Sequence, residues 1–61
     1  MRSIKAILID RDGMTENEAE DLISDVREEL YFAMETNDFS YVEDIMYSYL
    51  GLEMDYIFQL I

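Results

Sequence analysis

The sequence predicts a small all-α protein, an antiparallel helical bundle with one long central helix. Apolar residues recur at helical spacing over most of the chain, no proline interrupts them, and two segments begin with the S/T-x-x-E pattern of a capping box. The 61 residues are enough for one domain, spanning residues 1–61. A core of this size contributes only about 3–5 kcal/mol of stability. We therefore expect homodimerisation to complete the bundle.

The segment before the long helix fits two structures. The run Ile4-Lys5-Ala6-Ile7-Leu8-Ile9 suits either a helical face or a strand. We favour a helix over about residues 3–11, ended by Gly13, because an isolated strand would leave its backbone groups unpaired. The strand alternative would form a dimer edge. This segment carries three of the four basic residues, so we expect it to dock on the acidic remainder, in the same subunit or in a partner.

The long central helix is predicted over residues 15–37. It opens with Thr15-Glu16-Asn17-Glu18, in which the Thr hydroxyl and the Glu carboxylate each accept a backbone N–H. Turn-forming residues at 36–38 predict its end. Its apolar stripe consists of Ala19, Leu22, Ile23, Val26, Leu30, Ala33 and Met34.

Two shorter helices are predicted after the turn. The first spans residues 40–50, with Ser40 as its N-cap and Gly51 as a Schellman-type stop. The second spans residues 54–61, where apolar residues follow early acidic ones. The short connection before Ser40 predicts that the long helix and the next are antiparallel neighbours. The apolar face of the first consists of Val42, Ile45, Met46, Tyr49 and Leu50.

The composition excludes several kinds of chemistry. The chain has no Cys and no His, which excludes disulfides, thiolate or imidazole metal sites and His-based triads. Asp10-Arg11-Asp12-Gly13 is similar to the first motif of haloacid-dehalogenase-type phosphatases, but the residues that follow are too few for that fold. We predict no enzymatic activity, no cofactor and no metal site.

The charge predicts the kind of partner. Fifteen acidic residues against four basic ones give a net charge of −11 at pH 7. Such a field disfavours direct binding to nucleic acid or to an anionic membrane, and favours a basic protein surface. The apolar run near the start is too short for a membrane span or a signal-peptide core, so we expect a cytoplasmic protein.

Helical phase and charge predict seven partner-binding residues. Three of them, Asp21, Asp25 and Glu29, are acids at i, i+4 and i+8 of the long helix, where they form a like-charged ridge. Such a ridge suits either a solubilising surface or contact with a basic cleft. The four aromatic residues lie off the apolar faces, and are either covered by Ile4–Leu8 or are anchors for a partner. Arg27 has no acid at i±3 or i±4, so we expect it to pair with another helix or subunit. The seven are Asp21, Asp25, Glu29, Tyr31, Phe32, Tyr41 and Tyr47.

Two patterns carry a resemblance to known proteins. They are Thr-x-x-Glu-Ala-x-x-Leu-Ile from Thr15, and Leu50-Gly51-Leu52-Glu53 followed by Asp55-Tyr56. With these patterns the chain resembles small acidic helical proteins encoded by phages and mobile elements, which often have Pro in place of Met54. Some short phage proteins of this size inhibit host defences, including CRISPR effectors and Hachiman-type helicase-nucleases, by binding without catalysis.

The resemblance implies a function but assigns no residue a role. It implies a non-enzymatic phage protein that inhibits a host anti-phage defence protein by occluding a basic or nucleic-acid-binding surface. The alternative is a phage accessory or regulatory protein that binds a transcription or assembly partner.

Overall fold

In a computed structural model, which describes residues 2–61, the regular structure consists of helices alone. The prediction of an all-α fold is confirmed, and these residues contain no strand. The longest helix, α2, packs against both α1 and α3. The elements in chain order are α1 (Ile4–Asp12), α2 (Glu16–Glu35), α3 (Phe39–Ile45), a π-helical segment (Met46–Leu50) and a 3-10 helix (Met54–Gln59).

Local hydrogen bonds set both ends of α1. The helix begins after Ser3, whose hydroxyl accepts the backbone N–H of Ala6 at 3.1 Å. It ends at Gly13, which has a φ of 68° and donates its N–H to the Ile9 carbonyl at 3.1 Å. A helix pairs its own backbone groups, whereas a lone strand cannot, which explains why this β-branched run is helical. Its buried side chains are Ile4, Ile7 and Leu8.

The start of α2 has the capping box that its sequence predicts. The Thr15 hydroxyl accepts the Glu18 N–H at 3.1 Å, and the Glu18 carboxylate accepts the Thr15 N–H at 2.9 Å. The bond from the Thr15 backbone lowers the pKa of Glu18. Two otherwise unpaired backbone donors are thereby satisfied.

The N-cap of α3 differs from the predicted one because of the turn that precedes it. Asn37, with a φ of 59°, ends α2, and the Asp38 N–H donates to the Ala33 carbonyl at 2.9 Å in Schellman fashion. Asp38 is then the first residue free to cap the next helix, and its carboxylate accepts the Tyr41 N–H at 3.1 Å. Asp38, not Ser40, is therefore the N-cap, and α3 begins one residue earlier than predicted.

The predicted helix over residues 40–50 is not α-helical throughout. Its second half, Met46–Leu50, is π-helical, and the wider turn leaves Tyr49 half exposed although the sequence places it on the apolar face. Gly51 ends the segment with a φ of 63°. Its N–H donates to the Tyr47 carbonyl at 2.9 Å, and the Leu52 N–H donates to the Met46 carbonyl at 3.3 Å. Two bonds close the turn, as in the predicted Schellman pair, but each acceptor lies one residue earlier, within the π-helical segment.

Hydrogen bonds to distant parts of the chain hold the 3-10 helix and the residue after it in place. The Gln59 amide donates to the Arg2 carbonyl at 2.9 Å and accepts the Ile4 N–H at 2.8 Å. The Arg27 guanidinium donates to the Leu60 carbonyl at 2.9 Å. Arg27 thus binds another element of the same chain, through a backbone carbonyl and not through an acid.

The core is a single apolar cluster to which every element contributes or against which it packs. None of its buried side chains is polar or charged. Among residues 2–61, no helix combines the length and the apolar character needed to cross a bilayer. The cluster consists of Ile4, Leu8, Ala19, Val26, Leu30, Ala33, Val42, Ile45, Met46, Leu50 and Leu60.

Candidate functional site

The four basic side chains all bind groups within the chain. Lys5 contacts Glu16 and Glu20 at 2.8 Å each, so α1 docks on the start of α2 in the same subunit. The hydrogen bond to Glu16 is the main reason that the pKa of Lys5 is raised to about 12, and the same bond lowers the pKa of Glu16. The other three pairs are Arg2 with Asp10, Arg11 with Asp12, and Arg27 with the Leu60 carbonyl.

The side of α2 that faces away from the core carries a row of exposed acids. At about 100° per residue, Asp21, Asp25, Glu28 and Phe32 fall within about 60° of one another, roughly opposite the buried stripe. All four are exposed, Phe32 by 63%. None of the three carboxylates forms an ion pair within residues 2–61. We call these four residues the α2 acidic face.

The third acid of the predicted ridge has a different environment. Glu29 is half-buried, and its carboxylate accepts a hydrogen bond from the Tyr41 hydroxyl at 3.3 Å. It therefore faces α3, while Asp21 and Asp25 face solvent. An open depression of about 390 Å³ lies among Glu28, Glu29 and Phe32, at the border of the α2 acidic face.

The negative charge of Glu29 also raises the pKa of Tyr41, with loss of solvation as a smaller cause. Because the raised pKa favours the neutral phenol, this contact stabilises the fold below the unfolded pKa of tyrosine, and the contribution is lost as the pH rises through the folded pKa. We expect Glu29→Gln to lower the pKa of Tyr41 towards its ordinary value, as measured by NMR titration of the Tyr41 ring. Asp25→Asn, one turn away on the exposed side, should change it much less. An unchanged Tyr41 pKa in Glu29→Gln would contradict the assignment.

The aromatic candidates do not form one surface. Phe32 lies on the α2 acidic face and Tyr41 beside it, but Tyr31 is on another side of α2, one turn after Arg27. Tyr47 lies in a separate groove. Of the two alternatives for these rings, coverage by Ile4–Leu8 is wrong, because the apolar side chains of α1 are buried in the core while the rings stay exposed.

Sequence reasoning missed several exposed residues. Glu28 is three residues after Asp25, so helical phase alone places it on the same face. The sequence pattern does not predict that Phe39, Tyr49 and Phe58 are exposed. Their exposure depends on where α3 begins and on the geometry of the π-helical segment and the 3-10 helix.

Within residues 2–61, no group of three acids converges closely enough to hold a metal ion. Asp10 and Asp12 of the phosphatase-like motif lie in α1, not after a strand, and they bind Arg2 and Arg11.

Comparisons with protein families, curated proteins and solved structures find no match to this chain.

Proposed function

We propose that this chain is a non-enzymatic phage protein that binds and inhibits a host anti-phage defence protein by occluding a basic or nucleic-acid-binding surface. The observation that carries the proposal is the α2 acidic face. Its carboxylates form no ion pair with any cation of residues 2–61, although the chain has four basic side chains. The resemblance to small acidic phage proteins supports the phage origin and the cytoplasm of the infected cell as location.

Two physical properties suit this face to a basic partner. Asp21 and Asp25 are four residues apart, about 6 Å along the helix axis, so the face presents a row of negative charge as a nucleic-acid backbone does. A net charge of −11 on a small protein also accelerates association with a positively charged surface. Phe32 supplies an apolar contact within the charged row, and aromatic residues are enriched at such interfaces.

Homodimerisation is part of the same proposal. Self-association through the α2 acidic face is unfavourable, because it would bring like charges together. The exposed apolar residues Phe58 and Ile61 instead flank Gln59, whose amide donates to the Arg2 carbonyl, and Leu60, whose carbonyl accepts from the Arg27 guanidinium. The Arg27 guanidinium brings positive charge to this side of the molecule, which should lower the repulsion between two copies. We therefore place the dimer contact there, which leaves the α2 acidic face open to the partner.

The test is phage growth on a panel of strains that each carry one defence system. We expect expression of this protein to restore plating on the strain whose defence protein it binds, and to leave the other strains resistant. The same defence protein should co-purify with the tagged chain at low salt and be lost at higher salt. Unchanged plating on every strain, with capture of transcription or phage structural proteins, would favour the accessory or regulatory alternative.

A further inference from the structure

A second recess lies away from the α2 acidic face and shares no residue with it. It has a volume of about 400 Å³, near the lower end of the range for ligand sites, and suits one or two side chains. We call it the Tyr47 groove. It is lined by Glu43, Asp44, Tyr47, Leu52, Glu53 and Met54.

The backbone at one end of the Tyr47 groove is held by contacts from α1. Gly51 reverses the chain direction after the π-helical segment with a φ of 63°. The Arg11 guanidinium donates to the carbonyls of Leu50 at 2.6 Å and of Gly51 at 3.3 Å. Glu53 follows in an extended conformation, with φ −74° and ψ 162°. The turn at one end of the groove is thus held by hydrogen bonds from Arg11. π-Helical turns like the one before it are frequent at functional sites.

The lining combines apolar contact with unneutralised acid. Tyr47 is 78% exposed, so most of its ring is accessible, and Leu52 and Met54 add apolar surface. Glu43, Asp44 and Glu53 form no ion pair within residues 2–61. A side chain that fills this groove therefore needs a flat or aliphatic body and a positive charge.

We propose that the Tyr47 groove binds an arginine side chain of a partner protein, from a segment in which apolar residues flank that arginine. The planar guanidinium stacks on an aromatic ring and pairs bidentately with carboxylates, whereas the lysine ammonium is a strongly hydrated point charge. The aliphatic stem of arginine packs on Leu52 and Met54. This assignment does not depend on the identity of the target or on the α2 acidic face.

The experiment is an amide NMR titration of the whole chain with the blocked peptide Ac-Gly-Leu-Arg-Leu-Gly-amide. We expect saturable shifts centred on Tyr47, Leu52 and Met54. A peptide with citrulline in place of arginine tests whether binding needs the positive charge. A peptide with lysine tests whether it needs the planar guanidinium. Citrulline should abolish the shifts, because it keeps the shape and loses the charge. Lysine should bind more weakly than arginine.

Variants test the groove directly. Tyr47→Ala should weaken binding of the arginine peptide about 2- to 5-fold, the range of an exposed cation–π contact. Glu43→Gln with Glu53→Gln should weaken it further, while Tyr31→Ala, an exposed ring outside the groove, should leave it unchanged. All these side chains are exposed, so folding should be retained by circular dichroism. Absent shifts, shifts centred on the α2 acidic face, or equal binding of the lysine or citrulline peptide would overturn the proposal.

Discussion

Leu30→Ala is expected to leave most of the protein unfolded at physiological temperature. Leu30 is fully buried at the centre of the core, on the helix that contacts both neighbours. Truncation of a buried leucine to alanine costs about 2–5 kcal/mol, and a core of this size contributes only about 3–5 kcal/mol. The loss is therefore comparable to the whole stability. Thermal unfolding followed by circular dichroism measures it.

Two control variants test whether the destabilisation comes from the cavity that Leu30→Ala leaves in the core. Leu30→Met nearly conserves the side-chain volume and should cost less than about 1.5 kcal/mol. Leu22→Ala removes a half-buried leucine of the same helix and should cost less than Leu30→Ala. A Leu30→Ala protein that melts cooperatively within a few degrees of the wild type would show that the core does not depend on this residue. A midpoint that rises with protein concentration would support homodimerisation.

The second large effect is expected on partner association. Asp21→Lys with Asp25→Lys changes the net charge from −11 to −7, since each reversal adds two positive charges. For a basic partner, we expect the association rate at low salt to fall about 10- to 100-fold, because electrostatic steering is lost. The dependence of that rate on salt should also become shallower. Stopped-flow or surface binding to the identified defence protein, at about 0.02 M and about 0.5 M NaCl, measures both.

A matched control separates the effect of the α2 acidic face on the association rate from the effect of the overall charge. Asp55→Lys changes the net charge as much as Asp25→Lys, but Asp55 lies on the 3-10 helix. We expect Asp25→Lys to slow association more than Asp55→Lys does. If the double reversal associates as fast as the wild type, with the same salt dependence, the α2 acidic face is not the contact surface.

The candidate site could be predicted only in part. Helical phase places Asp21, Asp25 and Phe32 on one side of α2, because three or four residues always return to the same face of an α-helix. The same rule assigned Glu29 to that row, but α3 packs beside it and Tyr41 binds its carboxylate. Tyr47 was predicted as part of the same contact surface, yet it lies in a groove formed by α3, the π-helical segment and the start of the 3-10 helix.

The sequence by itself determined the all-α class, the capping box at Thr15, the apolar stripe of α2 and the glycine stops at Gly13 and Gly51. Each depends on residues at most a few positions apart, so local geometry and hydrogen bonding suffice. Only the tertiary structure decided how Arg11 and Arg27 bind carbonyls 39 and 33 residues away, and which acids remain unneutralised. Those outcomes depend on which elements pack together, and the spacing of residues along the chain does not contain that information.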